Sequence, residues 1–228
     1  MKNAAAGRVA AIIPAAGSGV RLGTQTPKAF VELAHVSLLK RSAIALGQIV
    51  DVIVVAAPQD YLENAASEIA EIDVEKFVVV GGADRQSSVA AALQVIPSDV
   101  DIVLVHDAAR PLVPFRVIDD VIRSVKAGAA GVVPVLPIVD TVKRVDSAGM
   151  VIETVDRESL RRVQTPQGFK RQILDEVHRD PTYLATDDAG LLEAAGLTVT
   201  TVLGDERAMK ITTMDDIQHA LSFLEEIL

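Results

Sequence analysis

The sequence has 228 residues with 22 Lys and Arg against 31 Asp and Glu, a formal net charge of -9, so it lacks the cationic excess that a general nucleic-acid or anionic-membrane binder needs. It contains no cysteine, which excludes disulfides, thiolate zinc sites and Cys nucleophiles. Half of it is hydrophobic, mostly aliphatic, with only 3% aromatic residues, a composition that suits buried parallel strands and a sizeable core. No run approaches the ~18 apolar residues of a membrane span. Residues 1-7 read as a disordered lead-in, and the short apolar run after Arg8 does not make a signal peptide, so a soluble, cytoplasmic protein is expected.

Arg8 to Ile13 reads as a first strand and leads into Pro14-Ala15-Ala16-Gly17-Ser18-Gly19-Val20-Arg21-Leu22-Gly23, followed at Pro27 by Lys28. Leu38, Leu39, Ala43, Leu46 and Ile49 recur at helical spacing, and Val52-Ile53-Val54-Val55 is a second strand. Pro58 starts another helix with apolar positions at Leu62, Ala66 and Ile69. Phe77 to Val80 is a third strand that stops at Gly81-Gly82. A helix through Val89, Ala92, Leu93 and Ile96 precedes a fourth strand, Ile102 to Val105, which ends in His106-Asp107-Ala108-Ala109-Arg110-Pro111. Strands alternating with helices predict an α/β fold, a mostly parallel sheet with helices on both faces. Ligands bind such sheets outside the carboxyl ends of the strands, so the three decorated strand ends should face one cleft.

After Val132-Val133-Pro134-Val135 the pattern changes. Ile138 to Val145 and Met150 to Val155 flank the turn Asp146-Ser147-Ala148-Gly149, which predicts an exposed hairpin arm. Such a hairpin is marginal alone, and its expected support is a second copy of the chain. Gln164 to Phe169 reads as a loop, Ile173 to His178 as a helix, Thr186-Asp187-Asp188 as a helix cap, and Val199 to Leu203 as a strand. Met209 to Ile211 is a short extended piece, and Met214 to Leu228 closes the chain as an amphipathic helix. No linker interrupts this order, so 1-228 reads as a single domain with a dimerisation arm at about 138-156. His35, His178 and His219 lack metal-ligand spacing and are expected at the surface, and His106 as a packed residue.

The opening loop is an anion site: its glycines let successive N–H groups point at one set of oxygens, and Arg21 and Lys28 add full charges. A lone glycine cluster is as often a plain turn. The dinucleotide fingerprint does not fit, because the loop has one residue too many between its second and third glycines and the second strand ends without an acid. A Walker loop does not fit either, since Lys28 lies between Pro27 and Ala29. What remains is a loop along which a nucleoside triphosphate can lie, with Arg21 forked onto phosphate oxygens and Lys28 a point charge near the α-phosphate. Nucleotidyl transfer needs that arrangement. Asp107 beside Arg110 at the ligand edge suggests a substrate or metal role.

The opening loop together with Gly81-Gly82-Ala83-x-Arg85-x-x-Ser88-Val89, His106 to Pro111, Asp140-Thr141-Val142-Lys143, Thr154 to Arg157, Gln164-Thr165-Pro166-Gln167, Thr186-Asp187-Asp188 and Lys210-Ile211-Thr212 resembles the methylerythritol phosphate cytidylyltransferases of the non-mevalonate isoprenoid pathway. The resemblance is ordered and spans nearly the whole chain. It implies a Rossmann-like nucleotidyltransferase fold in three layers, a homodimer, CTP and a polyol phosphate as substrates, and Mg²⁺ carried on the triphosphate. It implies transition-state roles for Arg21 and Lys28 and nucleotide binding by Pro14, Ala15, Ala16, Gly17, Ser18, Gly19 and Gly82. The Ser88 hydroxyl would help read cytosine, and Asp84 would lie near the ribose. Asp107, Arg110, Thr165, Thr186 and Lys210 would line the polyol phosphate site, with Thr141 and Arg157 reaching it from a partner's arm. The ribitol phosphate cytidylyltransferases share much of this pattern. A catalytically idle nucleotide-binding module on the same fold is the competing class.

Overall fold

An apolar run that alternates its side chains between two layers belongs in the middle of a sheet, and Arg8–Pro14 (β1) takes that place. Val9, Ala11 and Ile13 enter one layer of the core, and Ala10 and Ile12 enter the other. The computed structural model describes residues 7–17, 26–180, 182 and 185–225. Ser18, Gly19 and Arg21 of the opening loop, and the lead-in before Gly7, lie outside the described residues.

A small hairpin, Glu32–Leu33 (β2) and Val36–Ser37 (β3), precedes the helix Leu38–Gly47 (α1). There follow Val52–Ala57 (β4), Leu62–Ile69 (α2), Glu75–Val80 (β5), Arg85–Leu93 (α3), Val100–Val105 (β6), Phe115–Lys126 (α4) and Gly131–Pro137 (β7). The arm is Val142–Val145 (β8) and Val151–Val155 (β9), after which come Arg161–Val163 (β10), Gln167–Lys170 (β11), Arg171–Arg179 (α5), Asp188–Ala194 (α6), Val199–Leu203 (β12) and Met214–Glu225 (α7).

Eight strands form the main sheet in the order β10-β7-β11-β6-β1-β4-β5, and β12 pairs with β7. Parallel pairing joins β6, β1, β4 and β5, and also β12 with β7, whereas β10 and β11 run antiparallel to their neighbours. The first core cluster lies under α1, α2 and α4, and the second under α3, α5 and α6. A third, smaller cluster joins Leu33 and Leu38 to Ile211, Ile217 and Ala220 under α7. The mostly parallel sheet between two helical layers is the expected architecture.

Four local readings change. Gln167 to Phe169, expected as a loop, is strand β11, inserted antiparallel between β6 and β7. Gly168 permits this, because a Cβ there would lie 2.4 Å from Val121 of α4. Helix α4 is an element the sequence reading does not name. Its buried Val117, Ile118, Val121, Ile122 and Val125 are an ordinary helical stripe behind Pro114. In α2 the buried position beside Ile69 is Ala65, not Ala66. Pro58 precedes a separate turn, Gln59–Tyr61, rather than opening α2.

The arm pairs Val142 with Val155 through Arg144 with Glu153, and the Asp146 carboxylate accepts from Ala148 and Met150 N–H, 2.9 Å each. Val139, Val145, Met150, Val151 and Ile152 are each more than half exposed. Between β2 and β3, Ala34 and His35 both take positive φ, 47° and 61°, where glycine or asparagine is usual. The Arg41 guanidinium steadies this turn by donating from Nε and Nη2 to the Leu33 carbonyl at 2.9 and 2.6 Å.

Candidate active site

The three decorated strand ends share one cleft of about 400 Å³. Its lining takes Pro14 to Gly17 from the end of β1, Gly82 to Arg85 and Ser88 from the end of β5 and the start of α3, and Asp107 to Ala109 from the end of β6. Lys28, Ala29, Lys210 and Thr212 complete it. Gly81 lets the first two strand ends meet, since a Cβ there would lie 2.6 Å from the Ala16 Cβ.

On the β5 side the groups are fixed by hydrogen bonds among themselves. Asp84 caps α3: its carboxylate accepts from Ser87 N–H at 2.7 Å while the Ser87 hydroxyl accepts from Asp84 N–H at 3.1 Å. Ser88 Oγ accepts from Gly82 N–H at 3.0 Å and donates to the Asp84 carbonyl at 2.7 Å. One Ser88 lone pair remains, so this hydroxyl can accept from a ligand but has no proton left to give.

The other half is ionic. Lys210 Nζ lies 2.8 Å from Asp107 Oδ2, Arg110 Nε 3.7 Å from the same oxygen, and Arg85 Nε 3.4 Å from Oδ1. Burial opposes the charge on Asp107, but Lys210, Arg85 and Arg110 outweigh it and hold the carboxyl well below the usual carboxylate range. Arg85 also reaches Asp188 Oδ2 with Nη1 at 2.5 Å. Burial works against the Arg85 charge, and the two carboxylates reverse it, so its pKa is raised. Three cations against the two carboxylates, Asp107 and Asp188, leave one positive charge.

The loop that carries Asp107 is clamped from behind. Asp107 N–H donates to Thr165 Oγ1 at 3.0 Å, Thr165 Oγ1 lies 3.1 Å from His106 Nδ1, and His106 Nε2 lies 3.1 Å from the Arg110 carbonyl. A carbonyl only accepts, so Nε2 carries the proton and Nδ1 accepts from Thr165. Both ring nitrogens are thereby satisfied with the imidazole neutral, and burial pushes its pKa down to about 4. The Ser42 hydroxyl holds the Ala108 carbonyl at 3.1 Å, and Ile211 N–H holds that of Ala109 at 2.8 Å. That last bond sets Lys210, the preceding residue, beside Asp107.

The expected site residues thus divide. Pro14, Ala15, Ala16, Gly17, Lys28, Gly82, Asp84, Ser88, Asp107 and Lys210 line one cleft. Arg110 and Thr165 sit behind it: Arg110 donates to the Ala208 carbonyl at 2.7 Å, and the Thr165 hydroxyl is engaged by Asp107 and His106. Thr186 is exposed and is not the helix cap, which is Asp187, accepting from Gly190 N–H at 3.0 Å. Thr141 and Arg157 are on the exposed arm and do not line the cleft of their own chain. His178, expected at the surface, has a side chain only 3% exposed, against Asp188. Asp188 itself is a buried ionic partner of Arg85, not a companion of the cap. Gln167 was legible only as part of a motif. Its amide donates to Asp187 at 2.6 Å and accepts from Ala189 N–H at 3.2 Å, so β11 fixes the start of α6.

The donor set tests the metal reading of Asp107. Both its oxygens face cations within 3.7 Å, surroundings that repel a dication, so Asp107 does not fit as a metal ligand. The described residues hold no cluster of three or more His, Asp or Glu arranged for a metal ion. None of their helices is long and apolar enough to cross a membrane.

Comparison with known proteins agrees with this geometry. Residues 9–226 match the family described as IspD, 2-C-methyl-D-erythritol 4-phosphate cytidylyltransferase. The chain is 49% identical over 223 residues to the protein of that name from Saccharopolyspora erythraea, covering 95% of this chain and 99% of that one. It is 47% identical over 219 residues to the one from Frankia casuarinae, covering 95% and 81%. Among solved structures, the Thermus thermophilus 2-C-methyl-D-erythritol 4-phosphate cytidylyltransferase superposes with a TM-score of 0.79 at 34% identity, over 96% of this chain and 99% of that one. The Anaerococcus prevotii 4-diphosphocytidyl-2C-methyl-D-erythritol synthase gives 0.83 at 25%, over 96% and 99%. With its loop chemistry, its three-ended cleft and this match over almost its full length, the chain belongs to the 2-C-methyl-D-erythritol 4-phosphate cytidylyltransferase family.

Proposed function

We propose that this protein transfers the cytidylyl group of CTP to 2-C-methyl-D-erythritol 4-phosphate, forming 4-diphosphocytidyl-2-C-methyl-D-erythritol and pyrophosphate. The observation that carries the reading is the division of one cleft into a neutral, hydrogen-bonding half at Gly82 and Ser88 and a cationic half at Asp107 and Lys210. The neutral half takes the nucleoside. Ser88 Oγ can only accept, which matches the exocyclic amine of cytosine and leaves the corresponding carbonyl of uracil without a donor. The opening loop takes the triphosphate, with Lys28 at the cleft wall as the charge nearest the α-phosphate.

The cationic half takes the acceptor. Its phosphate oxygen, already ionised, attacks the α-phosphorus, the bond to the bridging oxygen breaks, and pyrophosphate leaves with the electron pair. No general base is required, and His106, neutral and doubly engaged, is not one. Lys28, with Arg21, neutralises the charge that builds on the α-phosphate oxygens in the transition state. Asp107 would not hold Mg²⁺; an ion bound with the triphosphate would supply charge neutralisation.

The arm is assigned to a homodimer in which Thr141 and Arg157 of one protomer reach the polyol phosphate of the other. Its exposed Val151 and Ile152, and the fact that neither polar residue lines the cleft of its own chain, support that assignment. Pyrophosphate release is to be measured for four nucleoside triphosphates against methylerythritol, ribitol and glycerol phosphates. Turnover with CTP and methylerythritol phosphate is expected; preference for ribitol phosphate, or no release from CTP, refutes the assignment.

A further inference from the structure

His178 is a buried histidine with a defined proton. Its Nε2 lies 3.0 Å from Asp188 Oδ1, and because a carboxylate only accepts, Nε2 donates. Asp188, itself 1% exposed, gives its other oxygen, Oδ2, to Arg85 Nη1 at 2.5 Å. Arg85 then reaches Asp107 through Nε at a longer 3.4 Å, and its remaining nitrogen, Nη2, is buried with no partner among the described residues.

This geometry is unusual in one respect. A guanidinium and a carboxylate pair best side-on, two N–H groups against two oxygens. Asp188 and Arg85 meet at one point only: Nη2 is idle, and Oδ1 of the carboxylate is turned to His178. The single-point contact leaves the Nε edge of Arg85 turned toward Asp107, and Asp107 holds Lys210 at 2.8 Å.

We propose that His178 is a positioning residue for the acceptor half of the site, acting through Asp188 and Arg85 on the Asp107–Lys210 pair. The proposal rests on the cytidylyl-transfer reading above. Without the His178 donor, Oδ1 turns onto Nη2, Arg85 closes side-on against Asp188, and its long contact to Asp107 is lost. Asp107 and Lys210 then settle in a different arrangement, while Gly82 and Ser88, on the other side of the cleft, keep theirs.

The test compares His178→Phe and His178→Leu, which fill the space without a donor, with His178→Gln, which restores an N–H at similar reach. The KM for 2-C-methyl-D-erythritol 4-phosphate is expected to rise about fivefold in either donor-free variant and the KM for CTP to stay within about twofold, the scale on which changes along a contact chain alter a linked site. His178→Gln is expected to recover most of the loss. A crystal structure of either donor-free variant without substrates is expected to show Asp188 Oδ1 on Arg85 Nη2. Equal changes in both KM values with no recovery in His178→Gln, or an unaltered Asp188–Arg85 contact in that crystal structure, overturns the proposal. Failure of the parent protein to release pyrophosphate from CTP refutes the cytidylyl-transfer reading instead, and the crystallographic comparison still decides what His178 holds.

Discussion

Replacing Thr165 with valine removes one hydroxyl and almost no volume, and the structure predicts a large effect. Thr165 is 4% exposed, and its hydroxyl is the link between Asp107 N–H and His106 Nδ1. Valine leaves that N–H donor and that ring acceptor buried and unpaired, at about 1–3 kcal/mol each. The sum, about 2–6 kcal/mol, is a large part of the 5–15 kcal/mol typical of a folded domain and corresponds to a fall in Tm of roughly 4–24 °C for a chain of this length. Thr165→Ser keeps the hydroxyl and removes one methyl group, so it should lose only about 1 kcal/mol. Urea denaturation of the three proteins at pH 7.5, followed by circular dichroism, measures the difference. Because the same bond sets the Asp107 backbone, Thr165→Val should also raise the KM for the acceptor phosphate. A Thr165→Val protein within about 0.5 kcal/mol of the parent would mean that the clamp behind the loop contributes nothing, and the account of how Asp107 is held would have to be abandoned.

Lys28→Ala should lower kcat about 10²- to 10³-fold with a folded protein, the usual cost of removing one group that stabilises transition-state charge; unchanged pyrophosphate release would remove Lys28 from the mechanism. Ser88→Ala should narrow the preference for CTP over UTP, and a preference unaltered in competition assays would place base reading elsewhere. Stability should fall as pH drops from about 6.5 toward 4, because His106 is neutral when folded with its pKa pushed down to about 4, so the unfolded chain binds the extra proton across that window. The contribution, on the order of 3 kcal/mol, is fully present above about pH 6.5. The Asp107 contribution is lost only at lower pH, as its carboxylate is held below the ordinary range. Urea midpoints measured from pH 7 to 4.5 should therefore decline less in His106→Gln. In mixtures of Lys28→Ala with Arg157→Ala shown to contain heterodimers, a shared site predicts recovery of up to about a quarter of parent activity, since random pairing makes half the dimers mixed and each mixed dimer has one intact site; no recovery refutes the shared arm.

Much of the site was legible before the fold. The three decorated strand ends share a cleft because each lies at the carboxyl end of a parallel strand, and period-2 apolar runs separated by period-3.6 stripes are enough to order such strands. The arm was equally legible: its turn is closed by Asp146, a residue within the turn, using side-chain bonds that span four residues at most. Helix α4 was legible in the same sense, its stripe from Val117 to Val125 being a local signal.

Other features have no local signal. Gln167-Gly168-Phe169 follows a proline and contains a glycine, so its short-range chemistry is that of a loop. It becomes a strand because β6 and β7 leave a gap of one strand between them. Thr186 and Asp187 are both good caps, and only the backbone of the folded chain places Asp187 over Gly190. His178 and Asp188 read as surface and cap residues until the packing of α5 against α6 buries them together. Arg85 is one of 22 cations, and its partner Asp188 lies 103 positions away. The order of elements and the kind of chemistry at each strand end come from periodicities and loops a few residues long, which the chain carries wherever it is. Which charges meet, and which of them are buried, depends on distances that exist only once the sheet has formed.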